Sequence, residues 1–259
     1  MLVTLGSGAS ITAGSTQTFQ YACNSVQQIF IRCEESGGGN IENGFITVQI
    51  GNDVVVNDIS MYAMALLSTA TGGGAHAEAN AGFKIDLGSH ILAGEENLYV
   101  RIRNSAASAA LDALDVSAIV NEGGVYQPVR YTAYADKVFT DTNTLAIYAW
   151  CNSDLDEDDS VFTVRNQSYS SAPQVLSGSS VTQCTSWAHS SNDHGVWLKL
   201  ATMAKNQVPL NTSVNYTSTI VDGVICVSAM DRTPAKAQAS RLAGQAVFNS
   251  MTAAERKAV

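Results

Sequence analysis

The segments "LDVSAIV" at residues 114–120 and "ICVSAMD" at residues 225–231 spell nearly the same β-strand twice. Their shared Val-Ser-Ala core begins at Val116 and again 111 residues later, at Val227. The chain of 259 residues has no obvious low-complexity repeat that would produce such a match through composition alone. The match therefore suggests an internal duplication, which other pairs of segments can test.

Two further pairs of segments match in the same order along the chain. "GFITV" at 44–48 resembles "SVFTV" at 160–164, and "GFKIDL" at 82–87 resembles "GVWLKL" at 195–200. The separations of the three pairs are 116, 113 and 111 residues, a drift that loop insertions would cause. Each match is weak alone, but their common order predicts a sheet-rich unit of roughly 115 residues that is present twice.

Short runs rich in Val, Ile, Thr, Tyr and Phe, separated by turn residues, predict β-strands through most of the chain. In "NLYVRIRN", for example, Leu98, Val100 and Ile102 alternate with polar neighbours and so share one face of a strand. The predicted strands of the first unit are 2–5, 16–22, 27–33, 45–50, 53–57, 82–87, 96–103 and 114–120. Those of the second unit are 129–138, 144–150, 160–165, 174–177, 179–186, 195–201, 212–220 and 224–230.

About eight strands in each unit favour an all-β fold of two tandem eight-stranded jelly-roll β-sandwich domains. The Gly- and Pro-containing segment "NEGGVYQPVR" separates the two sets of strands, which places the predicted domains at 1–122 and 123–231. An immunoglobulin-like sandwich is the alternative fold, but neither unit has the Cys…Trp…Cys pattern of that family.

Two helical segments interrupt the strand pattern. "DISMYAMALLST" predicts a short helix that begins at Asp58, an N-cap residue type, and ends before a glycine triplet. The last segment, 232–259, is rich in Ala, Gln, Lys and Arg and predicts a C-terminal helical tail.

Charge is distributed unevenly along the chain, whose net charge is −9. The tail carries five basic residues and one acidic residue, whereas residues 1–231 carry 9 basic and 22 acidic residues. An acidic body repels nucleic acid, while a basic tail can bind phosphate groups. Candidate residues for contact with a membrane surface or a genome are Lys236, Arg241, Arg256 and Lys257.

The sequence lacks the signals of export and of membrane insertion. Its first residues do not resemble a signal peptide, and no apolar run is long enough to span a bilayer. The five cysteines are irregularly spaced, which favours free thiols rather than a disulfide framework. These features favour a soluble protein made in a cytoplasm.

No constellation of catalytic residues is recognisable in the sequence. The His-x-His motif of the metal-binding bicupins, which are tandem jelly-roll enzymes, does not occur. His76 with Glu78, and His189 with Asp193 and His194, lie in segments that favour surface loops. The Gly-x-Ser-x-Gly signature of a nucleophile elbow is also missing, so the sequence favours a protein that is not an enzyme.

The segment "SDLDEDDS" contains one candidate cation site. Asp154, Asp156 and Asp158 alternate like the first ligands of a calcium-binding loop. The sixth and twelfth positions, Asp159 and Arg165, do not fit the EF-hand pattern. A solvated acidic loop is the alternative, and no cofactor other than calcium is expected.

The segment "FITVQIGNDVVVNDISMYAMALL" at 45–67 predicts a strand, a tight turn, a second strand and a helix. With the two collinear jelly-roll units, this arrangement resembles the double jelly-roll major capsid proteins of icosahedral, membrane-containing bacteriophages of the corticovirus and tectivirus lineage. The resemblance covers residues 1–231 by architecture, and it does not include a diagnostic motif.

This resemblance implies a structural protein located in the virion and assembled in the host cytoplasm. Three chains would form a pseudo-hexagonal trimer of six similar barrels, which tiles an icosahedral shell. Its partners would be other copies, vertex proteins and an internal membrane or genome. Two alternatives are a spike, decoration or glycan-binding receptor protein, which could use Trp187 and Trp197, and a bicupin-like enzyme that has lost its metal ligands.

Overall fold

The computed structural model of the chain describes several stretches separated by gaps, and the structural statements below concern these stretches alone. They are residues 1–34, 40–71, 80–122, 126–136, 138–150, 160–166, 174–177, 195–199, 210–216 and 222–230.

Strands dominate the described residues, which contain thirteen strands and one α-helix. The strands that precede residue 122 are β1 (Leu2–Ile11), β2 (Thr16–Glu34), β3 (Gly44–Ile50), β4 (Asp53–Ser60), β5 (Asn80–Asn104) and β6 (Leu111–Val120). The later strands are β7 (Val129–Tyr134), β8 (Val138–Trp150), β9 (Ser160–Asn166), β10 (Gln174–Ser177), β11 (Gly195–Lys199), β12 (Leu210–Tyr216) and β13 (Gly223–Ala229). The helix α1 (Met61–Ala70) follows β4, and a short 3-10 helix (Asn40–Asn43) precedes β3.

Strands β1–β6 form the N-terminal half and pair in the order of a jelly roll. One set of four consists of β1, β6, residues 25–34 of β2 and residues 80–91 of β5. The other set consists of residues 16–23 of β2, residues 96–103 of β5, β3 and β4. The strand order of two such four-stranded sets is that of a jelly roll.

The long strands β2 and β5 each contribute to both sets. Their pairing shifts register between Cys23 and Ser25 and again between Val26 and Gln28, where the strands pass from one set to the other. Register breaks of this kind let a continuous strand bend at the corner of a sandwich. The separately predicted strands 16–22 and 27–33 are therefore two arms of one strand, and the same holds for 82–87 and 96–103.

Strands β7–β13 form the C-terminal half and show the same pattern of pairing. β7, β13, residues 144–150 of β8 and β11 are joined in one set. Residues 138–144 of β8, β12, β9 and β10 are joined in the other. The predicted strand 179–186 lies outside the described residues.

The core of the N-terminal half follows from alternation along its strands. In β3, Ile46, Val48 and Ile50 are fully buried, while the residues between them are partly exposed. β6 shows the same alternation, with Val116 and Ala118 buried. Successive side chains of a strand point to opposite faces, so one face of each strand fills the space between the two sets.

The helix begins two residues later than the sequence predicts. Ser60, not Asp58, is its N-cap, and the Ser60 hydroxyl accepts a hydrogen bond from the backbone N–H of Ala63 at 3.4 Å. Asp58 belongs to β4, has a positive φ of 47°, and forms a two-pronged ion pair with Arg103 at 2.8 and 3.2 Å. The carboxylate is held by Arg103 of β5, which is separated from β4 by β3, so it does not cap the helix.

The three repeated sequence pairs lie in corresponding strands of the two halves. They fall in β3 and β9, in β5 and β11, and in β6 and β13. In each case the two strands occupy equivalent positions in the strand order of their own half. The Val-Ser-Ala match is nevertheless shifted in register. Val116 lies opposite Ile31 in the core of its own half, whereas Val227 shares a face with Tyr131, which contacts the other half.

Candidate functional site

No set of catalytic residues was recognised in the sequence. The candidate functional site is therefore the junction between the two halves, whose contacts join one half to the other. Among the described residues, one bridge of strand pairing joins the halves, the parallel pair of Val56 in β4 and Tyr131 in β7. Val56 is fully buried and Tyr131 is 7% exposed. An edge strand of the N-terminal half is thus covered by the first strand of the C-terminal half.

Helix α1 lies at this junction and is buried on nearly all sides. Seven of its ten residues are buried, from Met61 to Ser68. It packs on β3, β4 and β5 of its own half and on β8 and β11 of the other half. The rings of Tyr62 and Trp150 meet edge to face, with centroids 6.4 Å apart. A helix that is apolar all round fits a position between two packed layers.

Tyr131 links the two halves through a hydrogen bond. Its hydroxyl donates to the backbone carbonyl oxygen of Asp86 in β5. Burial, and then the nearby charge of Asp86, raise the pKa of the Tyr131 hydroxyl well above its usual value. The hydroxyl therefore stays protonated and remains a donor at any physiological pH.

The connection that precedes β7 packs closely against β5. His90 is fully buried, and its Nε2 lies 3.0 Å from the backbone carbonyl oxygen of Val129. Gly88 has a φ of +73°, and a Cβ built on it would lie 1.9 Å from the carbonyl oxygen of Gln127. Only glycine allows the backbone of the connection to approach this closely.

The same connection is tied to the end of the last strand. The side-chain amide of Gln127 donates to the carbonyl oxygen of Met230 at 2.9 Å, and the backbone N–H of Met230 donates to Pro128 at 2.8 Å. The start and end of the C-terminal half are therefore fixed to each other beside the N-terminal half.

Two strands of the C-terminal half are buried on both faces. Residues 144–149 of β8 and residues 223–228 of β13 are buried without alternation. Ala146, Tyr148 and Ile225 belong to the same continuous core as the interior of the N-terminal half. In the sequence, burial on both faces is indicated by the uninterrupted apolar runs "LAIYA" and "GVIC". Strands that are covered on both faces lack the alternation of apolar and polar residues.

A buried polar cluster lies within the C-terminal half at the bend of β8. The carboxylate of Asp141, which is 4% exposed, accepts hydrogen bonds from Tyr134 at 3.2 Å, from Thr144 at 3.1 Å and from Ser228. Burial, and then Asp141, raise the pKa of Tyr134 to about 12. Burial likewise raises the pKa of the Cys226 thiol, so that it stays a protonated, unreactive group. The three hydroxyls offset the desolvation of the carboxylate, which makes this cluster a packing feature.

The structure does not test the site residues that were singled out from the sequence. Asp154, Asp156 and Asp158 lie outside the described residues, and the calcium site stays a prediction. Lys236, Arg241, Arg256 and Lys257 also lie outside them. No group of three or more His, Cys, Asp or Glu residues in the described part of the chain is arranged to hold a metal ion.

The described part of the chain also contains no helix that is long and apolar enough to cross a membrane. No protein-family model matches the sequence, and no curated protein matches it either.

Solved structures that share this fold include viral major capsid proteins. The major capsid protein P2 of bacteriophage PM2 superposes with a TM-score of 0.56 at 10% identity, covering 90% of this chain and 98% of that one. The STIV major capsid protein superposes with a TM-score of 0.59 at 10% identity, covering 88% and 95%. A chain of the Sulfolobus turreted icosahedral virus gives 0.52 at 11% identity, covering 93% and 95%. At these identities, the likeness establishes the fold.

Proposed function

We propose that this chain is the major capsid protein of an icosahedral, membrane-containing virus, a structural protein located in the virion and not an enzyme. The observation that carries the proposal is the coverage of the structural likeness. Capsid protein P2 of bacteriophage PM2 matches over 98% of its own length, which supports a likeness to the whole of that protein rather than to one domain of it.

We further propose that the chain consists of two jelly-roll domains, 1–122 and 123–231, followed by the basic helical tail 232–259. The support is the repeated pairing pattern. β1–β6 pair among themselves, β7–β13 pair among themselves, and one bridge in the described residues joins them. The domain boundary falls in the connection between β6 and β7.

Two similar domains in one chain suit a pseudo-hexagonal homotrimer. Three chains would present six similar units, so a three-fold object can fill a six-fold position in the shell. The buried junction supports this role, because it holds the two domains of a chain in one fixed orientation. Its partners would be copies of itself and the vertex proteins.

The basic tail would contact the internal membrane or the genome through Lys236, Arg241, Arg256 and Lys257. Assembly would take place in the host cytoplasm, and calcium at Asp154, Asp156 and Asp158 would be an accessory ligand.

Negative-stain electron microscopy of the purified full chain, beside a chain that lacks residues 233–259, tests this proposal. We expect trimers with a hexagonal outline from both proteins, and closed shells or membrane-associated particles from the full chain alone. Monomers of the full chain at all concentrations would contradict the capsid function. Shells formed equally well by both proteins would contradict the role of the tail.

A further inference from the structure

One face of the N-terminal half is not covered by any described segment of the chain. It is the outward side of the strand set that consists of residues 16–23 of β2, residues 96–103 of β5, β3 and β4. The inward residues of these strands, such as Val48 and Val100, are fully buried, so the alternate residues point outward. We term this outward side the arginine face. It consists of the even-numbered residues of 16–22, the odd-numbered residues of 45–49 and 97–103, and the exposed side chains of β4.

The arginine face has the composition of a contact between proteins. It carries two arginines, Arg101 and Arg103, and two aromatic rings, those of Phe45 and Tyr99, but no lysine and no glutamate. The core of an interface between proteins is enriched in arginine and aromatic residues and depleted in lysine and glutamate. This composition therefore indicates a surface that meets another protein rather than solvent alone.

Arg103 is already ordered within the chain. Its guanidinium lies over the ring of Phe45, 4.3 Å from the ring centroid. Two of its nitrogens donate to the carboxylate of Asp58, at 2.8 and 3.2 Å. A side chain that is held in this way loses little conformational freedom when a partner binds. The stacked Phe45 and Arg103 are therefore a preorganised platform at one end of the arginine face.

Arg101 supplies a cation that is available to a partner. It is exposed, lies between Thr18 and Thr47 in the strand register, and forms no ion pair with a described residue. An exposed guanidinium can hold a carboxylate through two parallel hydrogen bonds. Residues 1–231 carry 9 basic and 22 acidic residues, so the body of a second copy has the complementary charge.

The size of the arginine face sets the strength of the contact. Four strands about 4.8 Å apart, with about 3.4 Å per residue over 16–22, give a face of roughly 19 by 20 Å, or about 400 Å². A stable complex buries about 800 Å² on each partner. One contact through this face is therefore weak, and it becomes effective when many copies act together. Such a contact suits the joining of trimers that have already formed.

We infer that the arginine face is the surface through which one trimer contacts the next trimer in the shell, and that a copy of this chain in the neighbouring trimer occupies it. This inference rests on the proposed capsid function and adds the contact between its trimers.

The part of the neighbouring copy that fits is the corresponding face of its C-terminal half. This face is formed by residues 138–144 of β8 and by β12, where Val138, Thr140 and Asn215 are exposed. Each edge of a pseudo-hexagonal trimer presents one N-terminal half and one C-terminal half. When a two-fold axis relates two such edges, each N-terminal half faces a C-terminal half and the contact is closed.

Val138 gives this arrangement a reason to form. It is 65% exposed in the single chain, and the contact would place it against the arginine face. Apolar surface that is removed from water in this way contributes favourably to association.

The first test compares the same substitution at two exposed arginines of the full chain. Arg101→Glu reverses the charge of the arginine face, whereas Arg130→Glu changes β7, which is outside this strand set. By light scattering coupled to size exclusion, we expect both variants to form trimers. We expect Arg101→Glu to raise the protein concentration needed for shell formation about tenfold or more, and Arg130→Glu to leave that concentration unchanged.

Salt provides a readout that a folding defect would not produce. Attraction between exposed charges weakens as ionic strength rises, so the wild type should need more protein to form shells at high salt than at low salt. Arg101→Gln removes the charge, and its shell formation should depend much less on salt while its trimers stay intact.

The second test identifies what covers the face. The photoreactive amino acid p-benzoylphenylalanine replaces Thr18, which lies beside Arg101 in the strand register. Mass spectrometry of irradiated and digested shells should find a cross-link to residues 138–144 or 210–216 of a second copy. Trimers that are irradiated below the concentration of shell formation should not give this cross-link.

The outcomes separate this inference from the function on which it rests. Shells that form equally well from Arg101→Glu would overturn the inference and leave the capsid function standing. A cross-link to another part of the chain, or to a molecule other than this protein, would do the same. Trimers lost in Arg101→Glu alone would show that the face builds the trimer, which also contradicts the inference. A wild-type chain that forms neither trimers nor shells would overturn both.

Discussion

Two glycines show how one residue can decide whether the halves fit together. Gly88 and Gly14 both have positive φ, of +73° and +69°. A Cβ on Gly14 would meet nothing within 4 Å, whereas a Cβ on Gly88 would meet Gln127 and Pro128. An alanine would therefore have a strained backbone at either position, but its Cβ would clash with neighbouring atoms only at Gly88.

We predict that Gly14→Ala lowers the free energy of unfolding by about 1 kcal/mol, which is the cost of a left-handed backbone for alanine. Gly88→Ala should cost roughly 3 kcal/mol, because the connection before β7 must also move. Denaturant unfolding of the two variants beside the wild type measures both values. Equal losses would show that the connection does not press on Gly88.

At the residue scale, matching the two repeated segments identifies equivalent strands, but it does not identify which residues face the core. The Val-Ser-Ala match correctly joins β6 with β13, but Val116 and Val227 point to different surroundings. By the ladders, Val116 corresponds to Val224, which is also fully buried. Three identical letters could not reveal this shift of three residues, because strand register is set by cross-strand packing.

At the scale of elements, the alternation of apolar and polar residues predicts most of the strands in the described residues. Alternation locates β3, β6 and the arms of β2 and β5 in the sequence. It does not show that residues 16–34 form one continuous strand, because the bend between its arms reads as a break in the pattern. The run "LAIYA" does not alternate at all, since the N-terminal half covers its second face.

The start of α1 provides an element-scale prediction. Ser60→Ala removes the hydroxyl that accepts from the N–H of Ala63, and should cost about 1 kcal/mol of unfolding free energy. Hydrogen exchange at the Ala63 amide should become faster. Asp58→Ala breaks the exposed ion pair with Arg103 and should leave exchange at Ala63 unchanged. If Asp58→Ala accelerates that exchange instead, the cap assignment is wrong.

At the scale of the whole molecule, the two halves share one core although they pair as separate ladders. Residues of β7, β8 and β13 belong to the same buried cluster as β1–β6. The sequence suggests a duplication through its repeats, but it does not suggest this shared core. The repeats show which segments of the two halves are equivalent. They carry no information on which residues of one half contact the other half.

The shared core predicts that the full chain unfolds in one cooperative transition. Calorimetry of the wild type should give equal calorimetric and van't Hoff enthalpies. Ala146→Glu places a charge in the core that the two halves share, where Ala146 is 3% exposed, and burying an unpaired charge is costly. We expect this variant to separate the unfolding of the halves into two transitions at lower temperature.

Thr142→Glu is the matched control for this prediction, because it introduces the same charge at an exposed position four residues earlier on β8. It should keep a single transition close to the wild-type temperature. Two resolved transitions in the wild type would mean that the junction does not couple the halves. The coupling matters for the proposed shell, because a trimer of six units keeps its hexagonal outline only if each pair of units moves as one body.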